Sequence, residues 1–124
     1  TGPRVQRYQQ LENRDSFRKE SIYWTKYFLI DPILSTRKLY QNLCKMAQNA
    51  GLEYQTTATE EIVSLAKTYC GSAKPSGAGG GDCVVAFFPD QDAENAFKLE
   101  CQKRFPIIPI EVSVSVHHVL QRMI

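Results

Sequence analysis

The chain has 124 residues, 43% of them hydrophobic and 23% charged, and a formal net charge of +2. That length holds one domain, and that hydrophobic share excludes wholesale disorder. The small net charge gives no electrostatic basis for binding nucleic acid, and no apolar run is long enough to span a membrane.

The opening residues are polar and lack the apolar segment of a signal peptide, which predicts a cytoplasmic protein. A chain that begins on Thr1 rather than Met is expected to be processed or to be a part of something longer. Residues 1–10 are polar and carry no assigned element, and Thr1-Gly2-Pro3 reads as a turn or as a remnant of cloning. From about Gln9 to Ile30, Leu11, Phe17, Ile22, Trp24, Tyr27 and Phe28 predict a helix with a broad apolar side. Asp31-Pro32 ends it, because the residue before a proline is disfavoured in the α region. Ser35 reads as the N-cap of the next helix, whose inward stripe is Leu39, Leu43, Met46, Ala47 and Ala50, with Gly51 as the stop. Thr57 and Glu60 make a capping box for a third helix with Ile62, Leu65, Ala66 and Tyr69 inward, closed by Gly71. Its charged positions Glu60, Glu61 and Lys67 read as a solvent face.

Ser72–Ser76 reads as a short strand and Cys83–Phe88 as a buried one. Asp90 then caps a helix carrying Ala93, Ala96, Phe97, Leu99, Cys101 and Phe105, and Pro106 ends it. Val112, Val114 and Val116 alternate with Ser113 and Ser115, which predicts a further strand with one buried face. Strands grouped late, with helices on one side, predict an α+β domain around an antiparallel sheet. Its expected extent is a single domain over residues 1–124.

Between the two middle strands lies Lys74-Pro75-Ser76-Gly77-Ala78-Gly79-Gly80-Gly81-Asp82-Cys83, which holds four of the chain's seven glycines. Successive glycines let backbone N–H groups point into one concavity, the arrangement by which a chain holds an anion without a metal. Lys74 adds a positive charge and Ser76 a hydroxyl, both partners for phosphate. The loop is not a dinucleotide fingerprint, because Asp82 stands where the last glycine would be. Nor is it a P-loop, because an apolar strand follows instead of Gly-Lys-Ser and a helix. The plain alternative is a glycine-rich hairpin turn without a ligand, although two glycines suffice for a tight hairpin.

This ten-residue stretch resembles the third motif of the GHMP kinases, and the resemblance extends over roughly residues 35–115. The Ala73-Lys74-Pro75-Ser76 lead-in and the Asp82-Cys83 ending are most similar to phosphomevalonate kinases. The resemblance implies the C-terminal domain of such an enzyme, related to the ferredoxin-like fold. It implies an ATP- and Mg2+-dependent transfer of phosphate to 5-phosphomevalonate, giving 5-diphosphomevalonate. Lys74, Ser76, Gly77, Ala78, Gly79, Gly80, Gly81 and Asp82 would bind the phosphorylated small-molecule substrate. The family's nucleotide loop, of the type Pro-x-x-x-Gly-Leu-Gly-Ser-Ser, does not occur in these residues. The expected partner is therefore an N-terminal kinase lobe, and the chain alone is expected to be inactive, binding neither ATP nor Mg2+. Other acceptors within the family are mevalonate, a sugar or homoserine. From another class, the same loop would serve a non-catalytic anion- or metabolite-binding domain.

No other residues assemble into a catalytic pattern. Adjacent His117 and His118 on a strand would point to opposite faces, so they make no metal pair. Asp82 serves either to brace the turn through backbone N–H bonds or to meet substrate through a bridging cation. Cys44, Cys70, Cys83 and Cys101 form no C-x-x-C pair and are expected as buried, reduced thiols.

Overall fold

The computed structural model describes residues 3–76 and 83–110. Within them the order is α1 (Pro3–Gln9), α2 (Arg14–Tyr27), α3 (Pro32–Ala50), α4 (Thr57–Thr68), β1 (Ser72–Pro75), β2 (Val84–Phe87) and α5 (Gln91–Arg104). The α+β class holds: β1 and β2 pair antiparallel, Ser72 opposite Phe87 and Pro75 opposite Val84. The strand expected over 112–116 and the pair His117-His118 lie outside the described residues.

Helix α1 corrects the reading of residues 1–10 as unassigned, since Pro3 opens a helix rather than a turn. Proline is well placed there, as its missing N–H would be unpaired in any first turn. The single long helix expected from Gln9 to Ile30 is instead the end of α1, a break and α2. Helix α2 stops at Tyr27, five residues before Pro32. Asp31-Pro32 then begins α3: the Asp31 side chain accepts from the Leu34 N–H at 3.0 Å, with Pro32 in the first turn. Asp31 is therefore the N-cap that the sequence reading assigned to Ser35.

Ser35 is instead buried inside α3 and donates to the Trp24 carbonyl of α2. Asn42, also buried, donates to the Phe17 carbonyl at 2.9 Å and to Ser21 Oγ at 2.8 Å. Thr36 and Ala47 complete the buried positions of α3, while Leu39, Leu43, Met46 and Ala50 are half-buried. Small polar side chains let α2 approach α3 closely and hydrogen-bond across the seam. Phe17 is the buried residue of α2, whereas Ile22, expected to face inward, is 43% exposed.

Helix α3 ends as expected at Gly51, in the left-handed region with φ 66°. The Leu52 N–H reaches back to the Ala47 carbonyl at 2.8 Å, the longer bond of a Schellman turn. The N-cap of α4 is Thr56, one residue before the expected Thr57, and its hydroxyl accepts from the Thr59 N–H at 3.1 Å.

The hydrophobic core joins Ile62, Val63, Leu65 and Ala66 of α4 with Ala73 of β1 and Phe97 and Cys101 of α5. Helices α3 and α4 both pack against β1, and α5 packs against α4. Phe88, just past β2, packs against Phe97 with centroids 4.7 Å apart and the rings tilted by 41°. Phe28 meets Phe87 edge-on at 5.0 Å, tying the end of α2 to the sheet. Asp90 caps α5 as expected, accepting from Ala93 N–H at 2.8 Å, but Leu99 is exposed rather than inward.

All four cysteines are free thiols, yet only Cys101 is buried. Cys44 is half-buried and Cys70 and Cys83 are exposed, which corrects the expectation of four buried thiols. No described helix is long and apolar enough to cross a membrane.

Candidate glycine-loop site

The site begins where the hairpin opens. Beyond the last paired residues, Pro75 and Val84, the Ser76 N–H still donates to the Cys83 carbonyl at 2.9 Å. That bond pins both stems of the six-residue segment 77–82. Of the sequence-predicted residues, Gly77, Ala78, Gly79, Gly80, Gly81 and Asp82 lie outside the described residues. Lys74 and Ser76 lie within them, one in β1 and one directly after it. The two antiparallel strands expected on either side of that segment are present.

Lys74 stands opposite Val85, and its Nζ donates to the Pro75 carbonyl at 3.1 Å. Burial pushes its ammonium below the ordinary lysine value, because desolvation disfavours the charged form. Among the described residues it has no carboxylate partner. A half-buried cation without a counter-charge gains from an incoming anion, which restores its charged form. Ser76 is exposed at the loop's entrance, leaving its hydroxyl accessible.

Three features hold the strand that carries Lys74. The buried Ser72 hydroxyl donates to the Ile33 carbonyl at 2.7 Å, fixing β1 to the first turn of α3. Ala73 is buried in the core. Gly71 lies so close to the end of the returning strand that an added Cβ would sit 2.4 Å from Phe88 Cδ1 and 2.6 Å from the Phe87 carbonyl. The left-handed position of that turn belongs to Cys70, at φ 63°. Gly71 thus closes α4 as the sequence suggested, but for close approach rather than for positive φ.

A recess elsewhere in the fold escaped the sequence reading. A cavity of about 180 Å3 lies among α3, α4 and β1, lined by Arg37 and Lys67 among others. The two cations are thirty positions apart on different helices, so no local motif marks them. Among the described residues, no group of three or more His, Cys, Asp or Glu side chains is placed to hold a metal ion.

Comparison with known proteins agrees with this architecture. A Lin0012 protein from Listeria innocua superposes with a TM-score of 0.59 at 24% identity, over 82% of this chain and 28% of that one. That likeness shows the fold, and the chain spans little more than a quarter of its length. No curated protein matches the chain. The family model for the GHMP kinases C terminal matches residues 34–107, from α3 through the hairpin to the end of α5. That span is more than half of the chain and contains the whole glycine segment, so the chain belongs to the GHMP kinase C-terminal family.

Proposed function

We propose that the chain is the C-terminal lobe of a phosphomevalonate kinase-like GHMP enzyme, and that Lys74, Ser76 and segment 77–82 hold the phosphate of the acceptor. The observation that carries this reading is the half-buried Lys74 ammonium, unpaired among the described residues, on a strand that runs directly into the glycine segment. The lead-in Ala73-Lys74-Pro75-Ser76 and the ending Asp82-Cys83 support the phosphomevalonate assignment within the family.

Phosphoryl transfer depends on positioning and on stabilising negative charge. Lys74 would supply charge, Ser76 a hydroxyl donor and the glycines a set of backbone N–H donors free of side chains. The pinned hairpin stems would keep those donors in place before substrate arrives, so that little reorganisation is needed during reaction. The described residues suit an anion but offer no carboxylate set for Mg2+. ATP would supply the transferred group when bound by an N-terminal kinase lobe, and the glycine segment would orient the acceptor phosphate towards it.

The test is steady-state kinetics on the chain joined to its N-terminal lobe. If the glycines let backbone N–H groups approach a phosphate, Gly79→Val would close that approach, because a β-branched residue resists φ > 0 and adds bulk, so kcat/KM should fall about 100-fold or more. Lys74→Ala should raise KM for 5-phosphomevalonate more than it lowers Tm. Normal kinetics in a folded Gly79→Val protein would reduce the segment to a turn. Activity with mevalonate or homoserine in place of 5-phosphomevalonate would move the enzyme within the family and leave the phosphate role of Lys74 unsupported.

A further inference from the structure

We propose that the cavity among α3, α4 and β1 binds a small oxyanion, a phosphate or carboxylate compound, at a site separate from the glycine segment. Its lining includes Arg37, Tyr40 and Gln41 of α3, Gln55, Lys67 of α4 and Ser72 of β1. Two of these carry positive charge, and no carboxylate is among the lining residues.

The carrying observation is Arg37. Its Nε is buried and has no hydrogen-bond partner. Among the described residues no carboxylate forms an ion pair with its guanidinium. Leaving a charged donor buried and unpaired is costly, more so than for a neutral group. Arginine side chains in that condition are normally matched to a carboxylate or a phosphate through a two-pronged contact. The described residues supply no such acceptor, and a small oxyanion entering the cavity would. Lys67, exposed on α4, adds a second cation at the rim. Gln55 Nε2 already donates to the Tyr40 hydroxyl at 2.9 Å, which holds that phenol at the wall. Glu60 is the nearby acid: its charge, after burial, contributes to raising the Tyr40 and Cys44 values. It does not line the cavity.

Size restricts the ligand class. A volume of about 180 Å3 equals roughly six water shares, below the range of about 300–1,000 Å3 for drug-sized ligands. Pyrophosphate or a small tricarboxylate fits that scale. The site sits beside Ser72 and Ala73, at the far end of β1 from Ser76. Occupancy would therefore bear on the root of the strand that carries Lys74.

The experiment is amide and arginine-Nε NMR of the chain titrated with pyrophosphate, and separately with citrate, at ionic strength held constant with KCl. The expected result is saturable shifts at the Ser72 and Ala73 amides and at Arg37 Nε. Arg37→Gln should weaken binding at least about tenfold, as for truncation of a buried charge partner. Lys67→Gln, at an exposed position, should weaken it about two- to threefold and serves as the variant if Arg37→Gln does not fold. A stronger response to pyrophosphate identifies a phosphate compound as the ligand class, and a stronger response to citrate a carboxylate one. Shifts confined to Ser76 and Cys83 would place the anion at the glycine segment and overturn the proposal. A linear response unaffected by either substitution, or no response to either anion, would also overturn it.

Discussion

Cys70 and Gly71 divide between them two jobs that one glycine often does alone. Cys70 takes the left-handed turn after α4, and the N–H groups of Cys70 and Gly71 return to the carbonyls of Lys67 and Ala66 at 3.0 and 2.8 Å. An L-residue in that conformation is strained by about 1–2 kcal/mol. Cys70→Gly should therefore raise stability, by about 0.5 kcal/mol after the added freedom of the unfolded chain is deducted. Gly71→Ala should do the opposite. Its Cβ would meet the Phe87 carbonyl as well as the Phe88 ring, so the sheet must shift, at a cost of about 1–3 kcal/mol. Urea unfolding of the two variants measures this directly. Equal effects of the two substitutions would contradict the division of roles.

Caps at the element scale are sensitive to a single position. Thr56 and Thr57 are adjacent threonines, and only Thr56 places its hydroxyl on the free Thr59 N–H of α4. Thr56→Ala should cost about 1 kcal/mol, while exposed Thr57→Ala should change stability by less than about 0.5 kcal/mol. Chemical denaturation of the pair is the measurement, and a larger loss at Thr57 would restore the capping box read from sequence. The same logic explains the start of α3. Ser35 had the right chemistry for a cap, but Asp31 lies one turn earlier, beside a proline suited to the first turn. Ser35 was then free to bond across to α2, a use that helix periodicity does not reveal.

For the whole molecule, alkaline pH should be destabilising. Burial raises the values of Cys44, Cys101, Tyr40 and Tyr54, so the folded state holds protons that the unfolded state releases. The stability associated with these neutral groups is complete below the ordinary thiol value of 9.0 and is lost as pH rises through it and past the ordinary phenol value of 10.0. Lys74 acts oppositely. Its depressed value means that the unfolded state binds more protons just below 10.5, so its contribution rises with pH there. Four groups against one should make Tm fall from about pH 9 upward, with a steeper fall in Lys74→Met. Thermal unfolding between about pH 7 and 11 checks the sign. A Tm that is flat or rising across that range would contradict the burial of these groups.

Activity belongs to the same scale. The chain covers 28% of the Listeria protein it superposes on and contains no nucleotide loop of the family type. The chain alone should release no ADP from ATP with 5-phosphomevalonate in a coupled assay. Turnover abolished by changing Lys74 would show a complete kinase in these residues.

The local order of this protein was legible from sequence where a short-range physical rule was decisive. Gly51 and Asp90 were readable as helix boundaries, because positive φ and an N-cap depend on neighbouring residues alone. The stripe of α4 was readable because one apolar face meets one core. The strand after the glycine segment was readable from its apolar run, although Val84–Phe87 is half-buried rather than buried as expected, and the segment itself was readable from four glycines in five positions. Packing decided the rest. The polar face of α3 is buried because α2 lies across it and supplies carbonyl acceptors from residues far earlier in the chain. Ile22, Leu99, Cys70 and Cys83 are exposed because apolar character alone does not determine which side of an element a neighbour covers. Arg37 and Lys67 share a cavity only because α3 and α4 both pack on β1, a juxtaposition set by tertiary contacts between residues distant in the chain.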